Sequence, residues 1–191
     1  MELILASQSP RRHEIMDLIG LSYQTEACTE PEVIPDGLSA SGTVMHLAHQ
    51  KAAFALRLHP DACVIGADTV VLLDGEIIGK PKSEEDAVQT LRRMQGQTHI
   101  VYTGISVLKA GYDDTRFAET KVTFRPMTEK EIRWYVSTGD PLDKAGSYGI
   151  QGAASVFVKS IEGDYFNVIG LPAPVLYEML LKAGAITEDR T

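Results

Sequence analysis

The stretch Leu3-Ile4-Leu5-Ala6-Ser7-Gln8-Ser9-Pro10-Arg11-Arg12 decides the fold class. Its first four residues form an apolar run short enough for a buried strand. Pro10 suits the first turn of a helix, where its missing N–H would have had no partner. That helix is predicted to run to about Ile19, with Gly20 as its C-terminal stop. Strand, turn and helix in this order are the unit from which α/β folds are assembled.

Outward from this unit, Val44, Leu47, Ala48, Ala52, Ala55 and Leu58 recur at helical spacing between Ser41 and Leu58, and Pro60 lies just beyond. Ala62 to Ala67 reads as a second buried strand. Thr69 to Leu73 and Glu76 to Ile78 flank Asp74-Gly75, a dipeptide that favours a tight hairpin. Ser83 with Asp86 resembles a capping box for a helix that ends near Gly96. Thr98 to Leu108 and Thr115 to Phe124 are rich in β-formers and predict a long hairpin around Gly111-Tyr112-Asp113-Asp114. Thr128 with Glu131 opens a helix carrying Trp134, Tyr135 and Val136, stopped by Gly139. Strands are expected within Val156 to Ile161 and Phe166 to Ile169, followed by a last helix from about Pro174 to Lys182 and a polar end at Glu188 to Thr191. Parallel pairing needs crossovers while Asp74-Gly75 and Gly111 need hairpins, so the expected fold is α/β with a mixed sheet. No repeat or linker separates domains, and residues 1–191 read as one domain whose sheet can divide into two lobes.

Composition excludes several classes. A chain that is 44% hydrophobic and 23% charged is an ordinary globule, not a disordered or fibrous one. With 18 Lys and Arg against 26 Asp and Glu, the net charge of −8 argues against a nucleic-acid polymer or a membrane surface as partner. At first sight it also argues against any polyanionic substrate. No stretch approaches the roughly 18 apolar residues of a membrane span, and no basic leader precedes Ser7, so a cytoplasmic location is expected. Cys28 and Cys63 stand far apart with no CxxC partner, which favours reduced thiols.

Four regions carry residues suited to chemistry. In Ser7-Gln8-Ser9-Pro10-Arg11-Arg12, amides and hydroxyls at a helix N-terminus lie beside two guanidiniums, which suits phosphate oxygens; the alternative is a Ser N-cap with two solvated arginines. Asp68 follows the apolar run Val64-Ile65-Gly66-Ala67, where its charge needs a metal, a cation or a water proton; it is a ligand, a base or a turn former. Glu30, Glu32 and Asp36 form an acidic segment that can hold a hard cation or simply face solvent. Lys51, Lys80 and Lys82 are each ordinary lysines alone, but with Arg11 and Arg12 they can offset a phosphate chain. Three glycines within Asp143 to Gly152 suit close backbone approach to a flat ligand, with Gln151 able to donate to and accept from a base edge, or else they form a plain loop. His46 and His49 lack a third ligand, so zinc is not expected.

In this order the blocks Ala6 to Arg12, Gly66-Ala67-Asp68-Thr69-Val70-Val71, Gly79-Lys80-Pro81, Gly96-Gln97-Thr98-His99, Asp143 to Gly152 and Gly170-Leu171-Pro172 resemble the Maf family of nucleoside triphosphate pyrophosphatases. The resemblance spans nearly the whole chain. It implies an elongated α/β fold with a nucleotide cleft between two lobes, a divalent cation (Mg²⁺ or Mn²⁺), and cleavage of a nucleoside triphosphate to the monophosphate and pyrophosphate. Arg12, Thr69 and Gln151 look like the dTTP/UTP-preferring subgroup, and not the 7-methyl-GTP subgroup. Gln50 stands where the family often has Glu, so any role of that Glu does not carry over.

The resemblance implies that Asp68 orients or deprotonates the attacking water and that Glu32, with Asp68, holds the metal. Ser7, Ser9, Arg11, Arg12, Lys51 and Lys80 are expected to grip the triphosphate, and Thr69 and Gln151 to read the pyrimidine. The rival readings are 7-methyl-GTP specificity and a nucleotide-binding regulator of septum formation. Relatives often form dimers, which makes a homodimer an expected partnership, although no stripe in this chain marks an interface.

Overall fold

In a computed structural model, residues 1–188 are described; of the polar end, residues 189–191 lie outside them. The elements are β1 (Leu3–Leu5), α1 (Pro10–Leu18), β2 (Gln24–Thr25), α2 (Ala40–Leu58), β3 (Cys63–Leu73), β4 (Glu76–Ile78), α3 (Glu84–Met94), β5 (Thr98–Lys109), β6 (Tyr112–Phe124), α4 (Glu129–Ser137), β7 (Val158–Glu162), α5 (Tyr165–Ile169) and α6 (Ala173–Lys182). Short 3-10 turns at Asp140–Asp143, Ala145–Ser147 and Ala153–Phe157 fill the segment between α4 and β7. The seven-stranded sheet has the order β2-β1-β3-β5-β6-β7, with β4 paired to β3 off that path. Its pairing is mixed as expected: β1 is parallel to β2 and β3, whereas β3/β4 and β6/β7 are antiparallel.

The chain forms two compact units. The first comprises Met1–Asp68, Thr103–Ala118 and the segment from Gly170 onward. Its core packs Leu5, Ile15, Met16, Ile65, Ala52, Ala55, Ile105, Leu176 and Leu180, all close to fully buried. Two glycines set its spacing. A Cβ on Gly66 of β3 would lie 2.1 Å from the Ala48 carbonyl oxygen of α2, and one on Gly104 of β5 would lie 2.2 Å from that of Val44. Both strands therefore rest on α2 at backbone distance, a contact only glycine permits. Val44, Leu47, Ala48, Ala52 and Ala55 line the buried face of α2 as their spacing predicts; Leu58, expected on that face, closes the last turn and is 55% exposed.

The second unit comprises Thr69–Tyr102 and Glu119–Ile169. Asp74 (φ 51°) and Gly75 (φ 81°) make the hairpin turn predicted for them. The Thr128/Glu131 capping box forms in full, whereas at α3 only half of the expected box exists: Ser83 accepts from the Asp86 amide, but Asp86 accepts from the Lys82 amide. Its core is aromatic, with Tyr135 against Phe157 and the edge-to-face trio His99, Phe124 and Tyr148.

Two expectations need correction. Phe166 to Ile169 is not a strand but α5, because the Asp164 carboxylate accepts the Phe166 amide at 2.8 Å and starts a helical turn there. The strands expected at Ala62 to Ala67 and Thr69 to Leu73 are a single strand, β3, whose β-branched run Thr69-Val70-Val71 carries it straight through Asp68. Asp68 is thus a mid-strand residue and not a turn former.

Candidate active site

In the first unit, β1 ends at a loop that bends back on itself before α1. The buried Ser7 hydroxyl accepts from the Ser9 amide at 3.2 Å and from Arg12 Nη1 at 3.1 Å. Arg12 Nε donates to the Gly170 carbonyl at 2.8 Å, so the guanidinium is fixed at two points. The Ser9 side chain makes no capping bond to α1, and the first turn of that helix carries no acidic residue. A helix N-terminus that carries two arginines and no acidic residue in its first turn is suited to an anion. Burial lowers the Arg12 pKa most; Asp68 opposes that, Arg11 adds to it and Glu32 opposes it. The guanidinium stays charged and lies within the electrostatic reach of both carboxylates.

Asp68 emerges from β3 two residues after Gly66. Because Gly66 lets the strand lie on α2, a lysine projecting from that helix can reach it: Lys51 Nζ is 2.6 Å from Asp68 Oδ1 and 2.7 Å from Glu32 Oε1. The Asp68 and Lys51 side chains are 14% and 17% exposed, whereas that of Glu32 is 52% exposed. One ammonium therefore bridges an interior carboxylate and an open one.

Glu32 belongs to an irregular loop that α2 holds along its length. Gln50 Nε2 donates to the Pro31 carbonyl at 2.8 Å and Gln50 Oε1 accepts the Val33 amide at 3.3 Å. His46 Nε2 meets the Val33 carbonyl at 2.8 Å, and Arg57 pairs with Glu30 at 2.6 Å. The sequence points to Glu32 but carries no signal of this clasp, whose Gln50 stands where the family often has Glu. His46 and His49 are engaged separately, His49 with Asp113 at 3.0 Å. Among the described residues no three His, Cys, Asp or Glu side chains group as a metal cluster. Cys28 and Cys63 are free thiols, and burial raises the Cys63 pKa to about 11.

In the second unit, Thr69 continues β3, Lys80 is exposed after β4, and Gln151 is exposed in the glycine-rich segment. The Gly146 amide donates to the Gly79 carbonyl at 3.1 Å, tying the chain beside Lys80 to the segment that ends in Gln151. The glycines there make room for protein: a Cβ on Gly146 (φ 70°) would strike Val71 Cγ2 at 2.8 Å, and one on Gly149 the Lys144 stem at 2.7 Å. Asp140 organises the segment, accepting from Tyr135 Oη at 2.6 Å and from Lys144 Nζ at 3.1 Å, while Tyr135 Oη accepts the Gly149 amide at 3.1 Å. An aspartate directly after the Gly139 helix stop was the sequence's one signal of that hub.

A family model described as Maf-like protein matches residues 2–183. The chain is 51% identical over 171 residues to a protein of Bacillus pumilus named dTTP/UTP pyrophosphatase, covering 90% of each chain. It is 45% identical to a protein of the same name from Pelotomaculum thermopropionicum, covering 96% of this chain and 97% of that one. Among solved structures, the Staphylococcus aureus Ham1 protein matches with a TM-score of 0.53 at 14% identity, over 96% of this chain and 100% of that chain, a likeness of fold alone. On the matched family model and these identities, the chain belongs to the Maf family.

Proposed function

We propose that this protein hydrolyses dTTP and UTP to the monophosphate and pyrophosphate by attack of water on the α-phosphorus. The observation that carries the reading is the pair of carboxylates, Glu32 and Asp68, gathered on one lysine beside a helix N-terminus that bears Arg11 and Arg12. Phosphoryl-type transfer asks a protein mainly for positioning and charge neutralisation, which these groups supply.

The hydroxyls of Ser7 and Ser9 and the positive end of α1 receive phosphate oxygens, and Arg11, Arg12, Lys51 and Lys80 balance the charge of the departing pyrophosphate. Asp68, screened from bulk solvent, orients the water and takes its proton. Thr69 and Gln151 read the base edge. Glu32 and Asp68 also fit a divalent cation: both are hard oxygen donors, both already accept one positive charge, and Glu32 stays open to solvent. Two carboxylates suffice for Mg²⁺, which takes its remaining ligands from phosphates and water. When bound, such an ion screens phosphate charge and lowers the pKa of coordinated water.

The test is a purified-protein panel of dTTP, UTP, dCTP, CTP and 7-methyl-GTP with Mg²⁺ or Mn²⁺, separating pyrophosphate from phosphate release. Pyrophosphate from dTTP and UTP, lost with chelator and restored by metal, is the expected result. A preference for 7-methyl-GTP, or release of phosphate alone, overturns the reading.

A further inference from the structure

We infer that Lys51 is a resident stand-in for the divalent cation, which keeps free metal from the Glu32/Asp68 pair until a nucleotide's phosphates draw its ammonium away. The inference rests on the metal-assisted reading above and deepens it: metal and nucleotide enter as one unit.

The Lys51 ammonium sits 2.6 Å from Asp68 Oδ1 and 2.7 Å from Glu32 Oε1. A divalent ion needs carboxylate oxygens at roughly 2.0–2.6 Å, so ammonium and metal compete for one space. A metal arriving alone would displace an ammonium whose side chain is 17% exposed and leave it without a counter-charge. A triphosphate removes that obstacle by giving the ammonium other anionic oxygens, and the flexible lysine stem allows the move.

Glu32 does not need Lys51 to keep its place. Gln50 grips the backbone on both sides of it, at Pro31 and Val33, and His46 holds the Val33 carbonyl. When Lys51 turns away, a metal-ready carboxylate remains. Linkage then requires nucleotide to raise metal affinity and metal to raise nucleotide affinity by the same factor.

The experiment measures Mn²⁺ binding to the full chain by electron paramagnetic resonance of free Mn²⁺, with and without an α,β-methylene analogue of UTP. Without the analogue, wild type binds weakly, Lys51→Met binds at least about tenfold tighter, and Lys51→Arg, which keeps a cation on both carboxylates, stays weak. The analogue tightens Mn²⁺ binding in wild type and changes Lys51→Met little. Adding Glu32→Gln to Lys51→Met removes the gain. A Mn²⁺-dependent rise in melting temperature is expected in Lys51→Met alone, and Lys51→Gln serves if Met does not fold. Equal Mn²⁺ affinity of wild type and Lys51→Met without nucleotide overturns the inference, as does wild-type affinity indifferent to the analogue. If these binding results hold but dTTP and UTP are not cleaved, the proposed activity fails and the gating stands.

Discussion

A Cβ on Gly66 would lie 2.1 Å from the backbone oxygen of Ala48, closer than any two such atoms can stand. Neither partner is a flexible side chain, so β3 or α2 must shift. Gly66→Ala is expected to cost about 3 kcal/mol or more, at or beyond the upper end of ordinary overpacking, measured by urea denaturation. A variant within 1 kcal/mol of wild type would contradict the packing described.

Asp68 is mid-strand, mostly buried and paired with one lysine. Asp68→Asn keeps the shape but cannot take a proton. Pyrophosphate release should fall by roughly 10²- to 10⁴-fold, while calorimetric binding of a non-hydrolysable nucleotide persists. Turnover near the wild-type level would remove Asp68 from its proposed role.

Gln151 is exposed at the end of the glycine-rich segment, and as an amide it both donates and accepts. Gln151→Glu can no longer donate to a pyrimidine carbonyl. Its kcat/KM for UTP and dTTP should drop by about 10-fold or more relative to other triphosphates. An equal loss across the panel would point to general damage and against base reading.

His99 is fully buried, donor or acceptor to Tyr148 at 2.8 Å, and burial lowers its pKa to about 4. Because the folded value lies below the unfolded one, the unfolded chain takes up the proton first as pH falls. The stability His99 confers is whole above pH 6.5 and is lost between 6.5 and about 4. By pH 5 the loss from this group is about 2 kcal/mol. His99→Gln should show that much less acid sensitivity between pH 7 and 5 in paired urea titrations; parallel slopes would refute the assignment.

Gln50 holds Glu32 through the backbone and not through its carboxylate. Gln50→Met is expected to speed hydrogen exchange at the Val33 amide and to raise the Mn²⁺ half-saturation for activity by about 10-fold. Unchanged exchange at Val33 would show that the loop keeps its shape without the clasp.

What could be read from the sequence was local. Pro10 and Gly20 bound α1, and Asp74-Gly75 makes its turn, because each signal acts within a few residues. The β2 strand escaped notice because two exposed residues carry no apolar pattern and exist as a strand only through their register with Ile4 and Leu5. Phe166 to Ile169 misled because its apolar composition suits a strand, while the deciding group, Asp164, lies outside it. At the site, Asp68, Glu32 and Lys51 each stood out singly. Their meeting on one ammonium depends on Gly66 closing the gap between strand and helix, a tertiary fact that spacing does not encode. The net charge of −8 loses its force against a polyanionic substrate once Arg11 and Arg12 are found together at the α1 N-terminus.

The helix α2 presents Val44, Ala48 and Ala52 to the interior on one side and His46, Gln50, Lys51 and Arg57 to the acidic loop on the other. Skeleton and chemistry in this unit thus share a single rod. A sequence change that rotates or slides that rod alters the register of the carboxylate pair as surely as it alters the fit of the interior. On the proposed mechanism, durability and turnover are therefore coupled properties here, and selection for either along this helix carries the other with it.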